Sequence, residues 1–365
     1  MPGCSTSEVR AAPGAATDVI TSKIASKKTE DPALIQTAPQ PQAADVGATV
    51  QGTATPTVTE QDTASTAAVL ALAGSQSTSI GGPGSGQVRG SVPFPDAGRG
   101  FYHNPVRPYE ARYGTVELVQ SIVRAAARVD ETHPGSVLVV NDLGLIEGGP
   151  IAHHGSHQAG RDADILFYSV DAQGKSLPSV GVPIDPQGKG VDFKNLADPA
   201  DDQPVALDVP RTWAFAAALI EVAQDNLQRI FVVEHVRNML LAEAARVHAP
   251  ATTLQRFAEL TCQPEYPHDD HFHIRLYCTP EDMALGCRDS LPTYPFRTAA
   301  LSALGLSPLI ASARTPVERK ARNARTVSHA EAKKQAGPMH AAVTQFLKQR
   351  EAWLKKPSPG RRYCP

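Results

Sequence analysis

Aromatic residues are absent from the first quarter of the chain, where no Phe, Trp or Tyr occurs before Phe94. Ala, Thr, Ser, Gly, Pro and Gln dominate this stretch instead. Such a segment cannot bury enough apolar surface to offset the conformational entropy that is lost on folding. The composition therefore predicts that residues 1–93 are a disordered low-complexity segment that acts as a linker.

Long hydrophobic runs and nucleotide-binding glycine motifs are also lacking. The apolar run Ala67–Ala73 is far too short to span a bilayer. No P-loop or Rossmann glycine pattern occurs, so nothing in the sequence indicates a nucleotide cofactor. Residues 94–290, by contrast, have the composition of a globular domain that is large enough for a real core.

Charge is distributed unevenly, although its sum is small. The whole chain has a formal net charge of -2, whereas residues 311–365 contain 13 Lys or Arg and 3 Asp or Glu. A basic tail on an acidic body favours an anionic partner such as an envelope polymer or lipid headgroups. A solvated tail without a partner is the alternative, and no nucleic acid is expected because no recognition motif accompanies the charge. Residues 291–365 are predicted to be a basic C-terminal extension with a late helix starting at Pro338.

Cysteine is scarce, and its odd count matters: the chain has Cys4, Cys262, Cys278, Cys287 and Cys364. In an exported protein an odd count leaves one thiol over. The residues around Cys4 resemble the end of a bacterial lipoprotein signal, so Cys4 would carry lipid if translation began upstream; an ordinary thiol in the tail is the alternative. The other four could form two disulfides, of which Cys278–Cys287 is the most local option, and the sequence leaves the pairing open.

Hydrophobic periodicity predicts alternating helices and strands after Thr115. In chain order we expect a helix capped by Thr115, strands at 136–140 and 165–170, a helix from Pro210, a strand at 229–233, a helix at 236–247 and a strand at 272–277. Residues 171–207, rich in Pro, Gly and Asp, are predicted to be a long surface loop that could form a wall of a substrate groove. This order predicts an α+β fold with an antiparallel central sheet, flanking helices and long loops.

Two short segments, His153–Asp164 and His268–Arg275, hold six of the 12 histidines. Residues two apart in a strand point to the same face, so His271 and His273 are expected to project together. Two neighbouring imidazoles would repel each other if both were protonated, and a bound metal is one good reason for such an arrangement. Asp164 is predicted to lie at the entrance of the strand at 165–170, close to the end of the first segment.

These residues predict a catalytic zinc site on the sheet. Such a site typically has three protein ligands and one open position. His157, Asp164 and His273 supply such a set, because glycines on both sides of His157 allow a tight loop that folds it back over the strand entrance. Asp162 is a rival carboxylate that spacing alone does not exclude. A noncatalytic or degenerate zinc site remains the alternative, and His153 is expected to be loop filler.

The motif pair resembles that of the penicillin-insensitive murein endopeptidases, within the wider metallopeptidase group that holds lysostaphin-type enzymes and D-Ala-D-Ala peptidases. The matching residues are Ser156, His157, Gln158, Gly160, Asp162 and Asp164, then His268, His271 and His273. Flanking agreement comes from Gly148-Gly149-Pro150 and from Arg275-x-Tyr277-Cys278. The resemblance covers about 112–289 and does not extend to the N-terminal segment or the basic extension.

This resemblance implies that residues 94–290 are a zinc metallopeptidase domain, with one Zn²⁺ bound by His157, Asp164 and His273. It also implies catalytic or supporting roles for His154, His268 and His271. The implied reaction is hydrolysis of the D-alanyl to meso-diaminopimelyl cross-link between peptidoglycan stem peptides, in the periplasm or cell envelope. A D,D-carboxypeptidase of the same group and a noncatalytic cell-wall-binding protein are the alternatives.

General chemistry suggests roles for the remaining histidines. His271 is the predicted general base that takes the water proton and passes it to the leaving amine. His268 could orient His271 or stabilise the oxyanion, and His154 could hydrogen-bond a ligand or the substrate. Arg275 shares a face with His273 and could meet a stem-peptide carboxylate, or it could form a plain salt bridge.

Overall fold

The computed structural model describes residues 57–264, 267–313, 315–317, 319–320, 329–355 and 364. Cys4 and the rest of residues 1–56 lie outside the described residues, so the predicted disorder and lipidation there stay predictions. Within the part that is described, no helix is long and apolar enough to cross a membrane.

The secondary-structure elements fall in the following order. The helices are α1 (Glu60–Ala71), α2 (Val116–Thr132), α3 (Val209–Ala223), α4 (Glu234–Arg246), α5 (Ala251–Leu260), α6 (Pro280–Ala284), α7 (Pro295–Ala303), α8 (His329–Gln335) and α9 (Ala341–Lys355). The strands are β1 (Thr78–Gly82), β2 (Ser85–Arg89), β3 (Val92–Pro93), β4 (Ala97–Gly98), β5 (Phe101–His103), β6 (Tyr113–Gly114), β7 (Leu138–Val140), β8 (Asp162–Leu166), β9 (Ser169–Val170), β10 (Ser176–Leu177), β11 (Lys189–Asp192), β12 (Gln203–Leu207), β13 (Leu227–Phe231), β14 (Thr261–Cys262) and β15 (His271–Leu276).

The predicted α+β fold is confirmed. A seven-stranded central sheet has the order β14-β13-β15-β8-β7-β5-β4. Its middle strands pair antiparallel, β13 with β15, β15 with β8 and β8 with β7, while β14 and β5 join by parallel pairing. Strands β8 and β15 are almost completely buried on both faces, although β15 alternates histidine or arginine with apolar residues along its length.

Helix α2 shows how the sequence builds the layer beside the sheet. Thr115 caps the helix by accepting a hydrogen bond from the backbone N–H of Leu118, as predicted. One face of α2, with Leu118, Val119 and Ile122, is completely buried and belongs to the main hydrophobic core. The helix also packs against α3, so the two helices and the sheet form one continuous core.

Strand β8 begins earlier than predicted. The predicted strand at 165–170 is divided in the structure between the end of β8 and the short strand β9. Asp164 therefore lies in the middle of β8 and not at a strand entrance. The two acidic residues hid this strand, because Asp is normally depleted in sheets.

The predicted disorder of residues 1–93 is wrong for residues 57–93. This part contains α1, the hairpin β1–β2 and strand β3. Val69 in α1 joins the main core, and Val88 in β2 is 2% exposed. These small residues pack onto a core that other segments supply, so the lack of aromatic residues did not prevent folding.

Residues 171–207 were predicted to be a surface loop, but they contain strands. Strands β10, β11 and β12 lie in this region and form a four-stranded sheet with β9, in the order β10-β9-β12-β11. Its strands are short, and its turns are held by Asp171 and Asp185, whose side chains accept hydrogen bonds from backbone N–H groups two and four residues later. The turn residues concealed these strands because they make up much of the segment.

The C-terminal region is tied to the core. Helix α9 confirms the predicted late helix, although it starts at Ala341. Helix α7 lies beyond the predicted boundary at 290, and its Leu301 packs with the buried disulfide Cys278–Cys287, which was the most local of the pairings that the sequence left open. A second disulfide joins Cys262 to Cys364 across 102 residues.

Candidate metal centre

Three side-chain atoms meet at the centre of the sheet. Nε2 of His157 and Nδ1 of His273 each lie 3.3 Å from Oδ1 of Asp164, and 3.3 Å from each other. All three residues are buried, with exposed fractions of 0% for His157, 4% for Asp164 and 6% for His273. The sequence-predicted ligand residues are thus brought together, and their roles remain predictions.

The outer nitrogens of the two histidines are already engaged. Nδ1 of His157 donates to the backbone carbonyl of Leu143 at 2.6 Å, and Nε2 of His273 donates to Oδ1 of Asp162 at 2.7 Å. A carbonyl or carboxylate oxygen only accepts, so the proton sits on the outer nitrogen of each ring. When the two rings are neutral, their inner nitrogens present lone pairs to Asp164, which is the arrangement of a metal-ligating histidine.

The strand register explains the position of two of these residues. In the antiparallel pair β15 and β8, His273 lies opposite Asp164, and Arg275 lies opposite Asp162. His157 reaches the same point from a loop, and its φ of 66° is in the left-handed region that non-glycine residues rarely adopt. Such a conformation persists only where its surroundings enforce it.

The surroundings that enforce it come from the hairpin β1–β2. The backbone N–H of Gln158 donates to the carbonyl of Pro83 at 3.1 Å, and the Ser79 hydroxyl donates to the carbonyl of Ala159 at 2.8 Å. These bonds fix the chain on the C-terminal side of His157. The segment that was predicted to be disordered therefore supports a residue of the site.

A fourth side chain, His154, faces the same carboxylate. Its Nδ1 is 3.5 Å from Oδ2 of Asp164, and its Nε2 is 2.9 Å from Oδ2 of Asp142. Donor atoms of His154, His157 and Asp164 all lie within 4.8 Å of one another and could hold a metal ion. His273 adds a further donor at the distances given above.

Asp142 and Arg107 were missed by the sequence analysis. Burial would raise the pKa of Asp142, but the hydrogen bonds from His154 and Arg107 lower it to about 2. Arg107 pairs with both carboxylate oxygens of Asp142, one of them through Nε at 3.0 Å. The sequence gives only a weak indication that Asp142 belongs to the site. Asp142 follows the buried strand β7 by two residues, at the edge next to β8.

The second histidine segment contributes His271 at the rim of the site. Its Nε2 lies 3.5 Å from Oδ1 of Asp164, and its Nδ1 bonds to Oδ1 of Asp270 at 2.6 Å. Burial lowers the pKa of His271, but the charges of Asp270 and Asp164 outweigh it and raise the value to about 9. The His268 ring lies 4.8 Å from the His271 ring and 5.5 Å from the His273 ring, measured between centroids.

The electrostatics of the cluster fit a bound cation. Burial raises the pKa of Asp164, but the nearby His157, His271 and His154 hold it well below its usual range. Oδ1 of Asp164 is buried and has no hydrogen-bond partner within the described residues, although three imidazole nitrogens lie 3.3–3.5 Å away. When His157 and His273 are neutral and protonated on their outer nitrogens, they turn lone pairs toward this oxygen, and a cation between these atoms would remove the resulting repulsion. The donor set of imidazole and carboxylate is one that zinc prefers.

The other candidates have different surroundings. Asp162 lies on the far side of His273, where it accepts hydrogen bonds from that ring and from Nε of Arg275 at 2.6 Å. Of the two options for Arg275, the salt bridge is confirmed, and the residue is only 8% exposed. His153 is exposed, in agreement with its expected place in the loop.

Comparison with known proteins agrees with the motif pair. Residues 79–297 match a family model described as penicillin-insensitive murein endopeptidase, a span wider than the predicted 112–289. A protein of that name from Klebsiella pneumoniae is 29% identical over 231 residues, which cover 61% of this chain and 73% of the relative. Similar proteins of the same name from Pectobacterium atrosepticum and Yersinia enterocolitica are 30% and 28% identical over 217 and 222 residues, covering 58% of this chain in each case and 68% and 70% of the relatives.

Proposed function

The chain belongs to the penicillin-insensitive murein endopeptidase family, and on this basis we propose that it is a zinc-dependent murein endopeptidase. The proposed reaction is hydrolysis of the D-alanyl–meso-diaminopimelyl cross-link between peptidoglycan stem peptides. The observation that carries the proposal is the meeting of inward-facing donor atoms from His157, Asp164 and His273, at 3.3 Å from one another.

Zinc is the proposed cofactor, with one ion per chain held by these three residues. When bound, zinc polarises a carbonyl as a Lewis acid and lowers the pKa of water to roughly 7. The outer-shell contacts of His157 with Leu143 and of His273 with Asp162 would hold the two rings in the tautomer that a metal requires. His154, whose Nδ1 faces the other oxygen of Asp164, is either a further ligand or a hydrogen-bond partner of that carboxylate.

His271 is the proposed general base. Asp270 fixes its Nδ1, so Nε2 is the atom that takes a proton from the attacking water and delivers it to the leaving amine. A base must be neutral to act, and the charge of Asp164 is the second largest of the three carboxylate charges that raise the pKa of His271. A divalent cation on Asp164 would offset that charge and lower the pKa towards the neutral range that catalysis at pH 7 needs.

His268 is proposed to support this step from the side. His268 precedes both His271 and His273 in sequence, and its ring packs beside each of theirs. The backbone N–H of Val233 donates to the His268 carbonyl at 3.1 Å, which holds the segment before β15 against the end of β13. From there His268 could orient His271 or stabilise the oxyanion.

The proposed location is the periplasm or cell envelope, where peptidoglycan is found. The two disulfides support export, because such bonds persist in oxidising compartments. An anionic envelope polymer or lipid remains the proposed partner of the basic extension. Cross-linked peptidoglycan stem peptides are the proposed substrate.

The test is digestion of purified, cross-linked peptidoglycan, with the products resolved by mass spectrometry. We expect the wild-type protein to convert cross-linked dimers into monomers, and a chelator or His273→Ala to abolish that conversion. His133→Ala, which removes a half-buried histidine at the end of α2, is the matched control and should retain activity. Metal content of each protein, measured by elemental analysis, should fall only in His273→Ala.

The outcomes separate the alternatives. Release of terminal D-alanine without loss of dimers would identify a D,D-carboxypeptidase. A folded, zinc-loaded protein that cleaves neither bond would refute both enzymatic assignments and favour the noncatalytic wall-binding protein.

A further inference from the structure

The C-terminal extension, beyond the family-matched residues 79–297, reaches the second histidine segment. Arg350 in α9 binds both carboxylate oxygens of Asp269, with Nε to Oδ2 at 2.8 Å and Nη2 to Oδ1 at 2.6 Å. The Asp269 side chain is completely buried, whereas that of Arg350 is 31% exposed. A two-pronged bond from arginine to carboxylate fixes orientation as well as distance.

Asp269 stands between the two proposed catalytic histidines, His268 and His271. Its own carbonyl accepts a hydrogen bond from the backbone N–H of Ile184 at 2.7 Å, so both its side chain and its backbone are held. The next residue, Asp270, carries the carboxylate that holds Nδ1 of His271. Any displacement of Asp269 would therefore move the group that orients the proposed base.

A second anchor lies on the other side of His268. The disulfide Cys262–Cys364 joins the end of the chain to β14, and the backbone N–H of Cys364 donates to the carbonyl of Gln263 at 2.9 Å. The segment from Cys262 to Asp269 is thus attached to the C-terminal extension at both of its ends. His268 lies inside that segment.

Helix α9 is itself held by the residues that follow β11. Phe346 packs against Phe193, with ring centroids 5.4 Å apart, and the backbone N–H of His340 donates to the carbonyl of Leu196 at 2.8 Å. Trp353 packs against His235, whose Nε2 bonds to the carbonyl of Ile184 at 2.6 Å. The helix therefore spans the distance between residues 193–196 and the histidine segment.

We propose that Arg350 is a positioning residue and that the C-terminal extension is a strap that holds His268 and His271 in their catalytic arrangement. Arg350 acts through Asp269 and touches none of the candidate metal ligands. The kinetic part of this inference rests on the proposed function, while its structural part does not.

The experiment compares Arg350→Ala and Arg350→Lys with Lys348→Ala in the full-length, oxidised protein. Lys348 is the matched control, because it is an exposed cation two residues away on the same helix. In hydrogen exchange followed by mass spectrometry, we expect peptides covering 267–276 to exchange about tenfold or more faster in Arg350→Ala. Peptides from α2 should be unchanged, which shows that the core remains folded.

Kinetics on a soluble, cross-linked muropeptide dimer supply the second readout. We expect kcat of Arg350→Ala to fall by about tenfold to a hundredfold with KM nearly unchanged, because a small misplacement of a catalytic group affects the chemical step. Arg350→Lys should be intermediate, since it keeps the charge and loses the two-pronged geometry. Lys348→Ala should match the wild type.

Unchanged hydrogen exchange at 267–276 in Arg350→Ala would overturn the proposal that the extension holds this segment. An increase in kcat would overturn it as well, since the extension would then be an inhibitory cover. If the wild-type protein cleaves no peptidoglycan, the proposed function fails, and the exchange measurement still decides whether the extension holds the segment.

Discussion

Asp164 organises the site at the level of single residues. It is buried at the centre of β8, and nitrogen atoms of His154, His157, His271 and His273 all lie within 3.5 Å of its oxygens. Each of these rings has its other nitrogen bound to a carbonyl or a carboxylate. Four imidazole rings therefore point toward one carboxylate. The carbonyl and carboxylate groups that orient these rings belong to the site as well.

The contribution of one such acceptor can be tested with Asp162→Asn. The amide can still accept from the His273 ring, but it lacks the charge that favours the Nε2-protonated tautomer and that pairs with Arg275. We expect the affinity for zinc to fall by about 10-fold to 100-fold, the range typical of lost outer-shell partners. Competition with a chromogenic chelator measures this.

The matched control for Asp162→Asn is Glu281→Gln, which makes the same change from acid to amide at an exposed position. Circular dichroism should show that both variants are folded. Wild-type zinc affinity in folded Asp162→Asn would mean that Asp162 does not orient His273.

His103, at the end of β5, provides a pH prediction outside the ligand set. Burial, together with the charge of Arg112, lowers its pKa from 6.5 to about 4. The folded state then binds fewer protons than the unfolded chain, so stability is full above pH 6.5 and is lost as the pH falls towards 4. His103→Phe should remove about 2 kcal/mol of the stability loss between pH 7 and pH 4.5, as measured by urea unfolding at both values.

Phenylalanine is a suitable replacement because Nε2 of His103 is buried without a hydrogen-bond partner within the described residues. His248→Asn, at an exposed position, should keep the wild-type pH dependence. If His103→Phe loses as much stability as the wild type on acidification, His103 does not enter the folded state as the neutral imidazole.

At the level of secondary-structure elements, the sequence correctly predicted those that follow a regular pattern. Period-two alternation correctly placed His271 and His273 in one strand, and the Thr115 cap located α2. Pairing of β8 with β15, which sets His273 opposite Asp164, was not visible, because register depends on contacts between segments that are far apart in the chain.

Elements that depend on the rest of the fold were missed. Helix α1 and the hairpin β1–β2 bury few large side chains of their own, and composition alone indicated disorder. The hairpin is held by polar contacts instead: the guanidinium of the buried Arg161 donates to the Ser79 hydroxyl at 2.9 Å and pairs with Asp289 at 3.2 Å. A buried arginine that joins three distant segments leaves no local pattern in the sequence.

At the level of the whole molecule, both ends of the described chain support the site. The hairpin β1–β2 holds the loop of His157 from one side, and the C-terminal extension reaches the segment of His268 and His271 from the other. The sequence analysis placed both regions outside the predicted catalytic domain at 94–290. Segments that look like appendages by composition therefore hold the candidate site residues in place.

The two disulfides make unequal contributions to this arrangement. Cys262–Cys364 closes a loop across 102 residues, while Cys278–Cys287 spans only 9. In the chain-entropy model a longer closed loop restricts the unfolded chain more, which gives about 5 kcal/mol for the first bond and about 3 kcal/mol for the second. We expect Cys262→Ala with Cys364→Ala to lower the free energy of unfolding more than Cys278→Ala with Cys287→Ala.

Urea unfolding of both double variants under nonreducing conditions measures this difference. Ala removes buried sulfur in both cases, so the comparison between the pairs reports mainly on the length of the closed loop. An equal loss, or a larger loss for the pair at 278 and 287, would mean that local packing around Leu301 and Met283 outweighs loop closure. A larger loss for the pair at 262 and 364 would show that the extension is fastened to the domain strongly enough to stabilise the whole molecule.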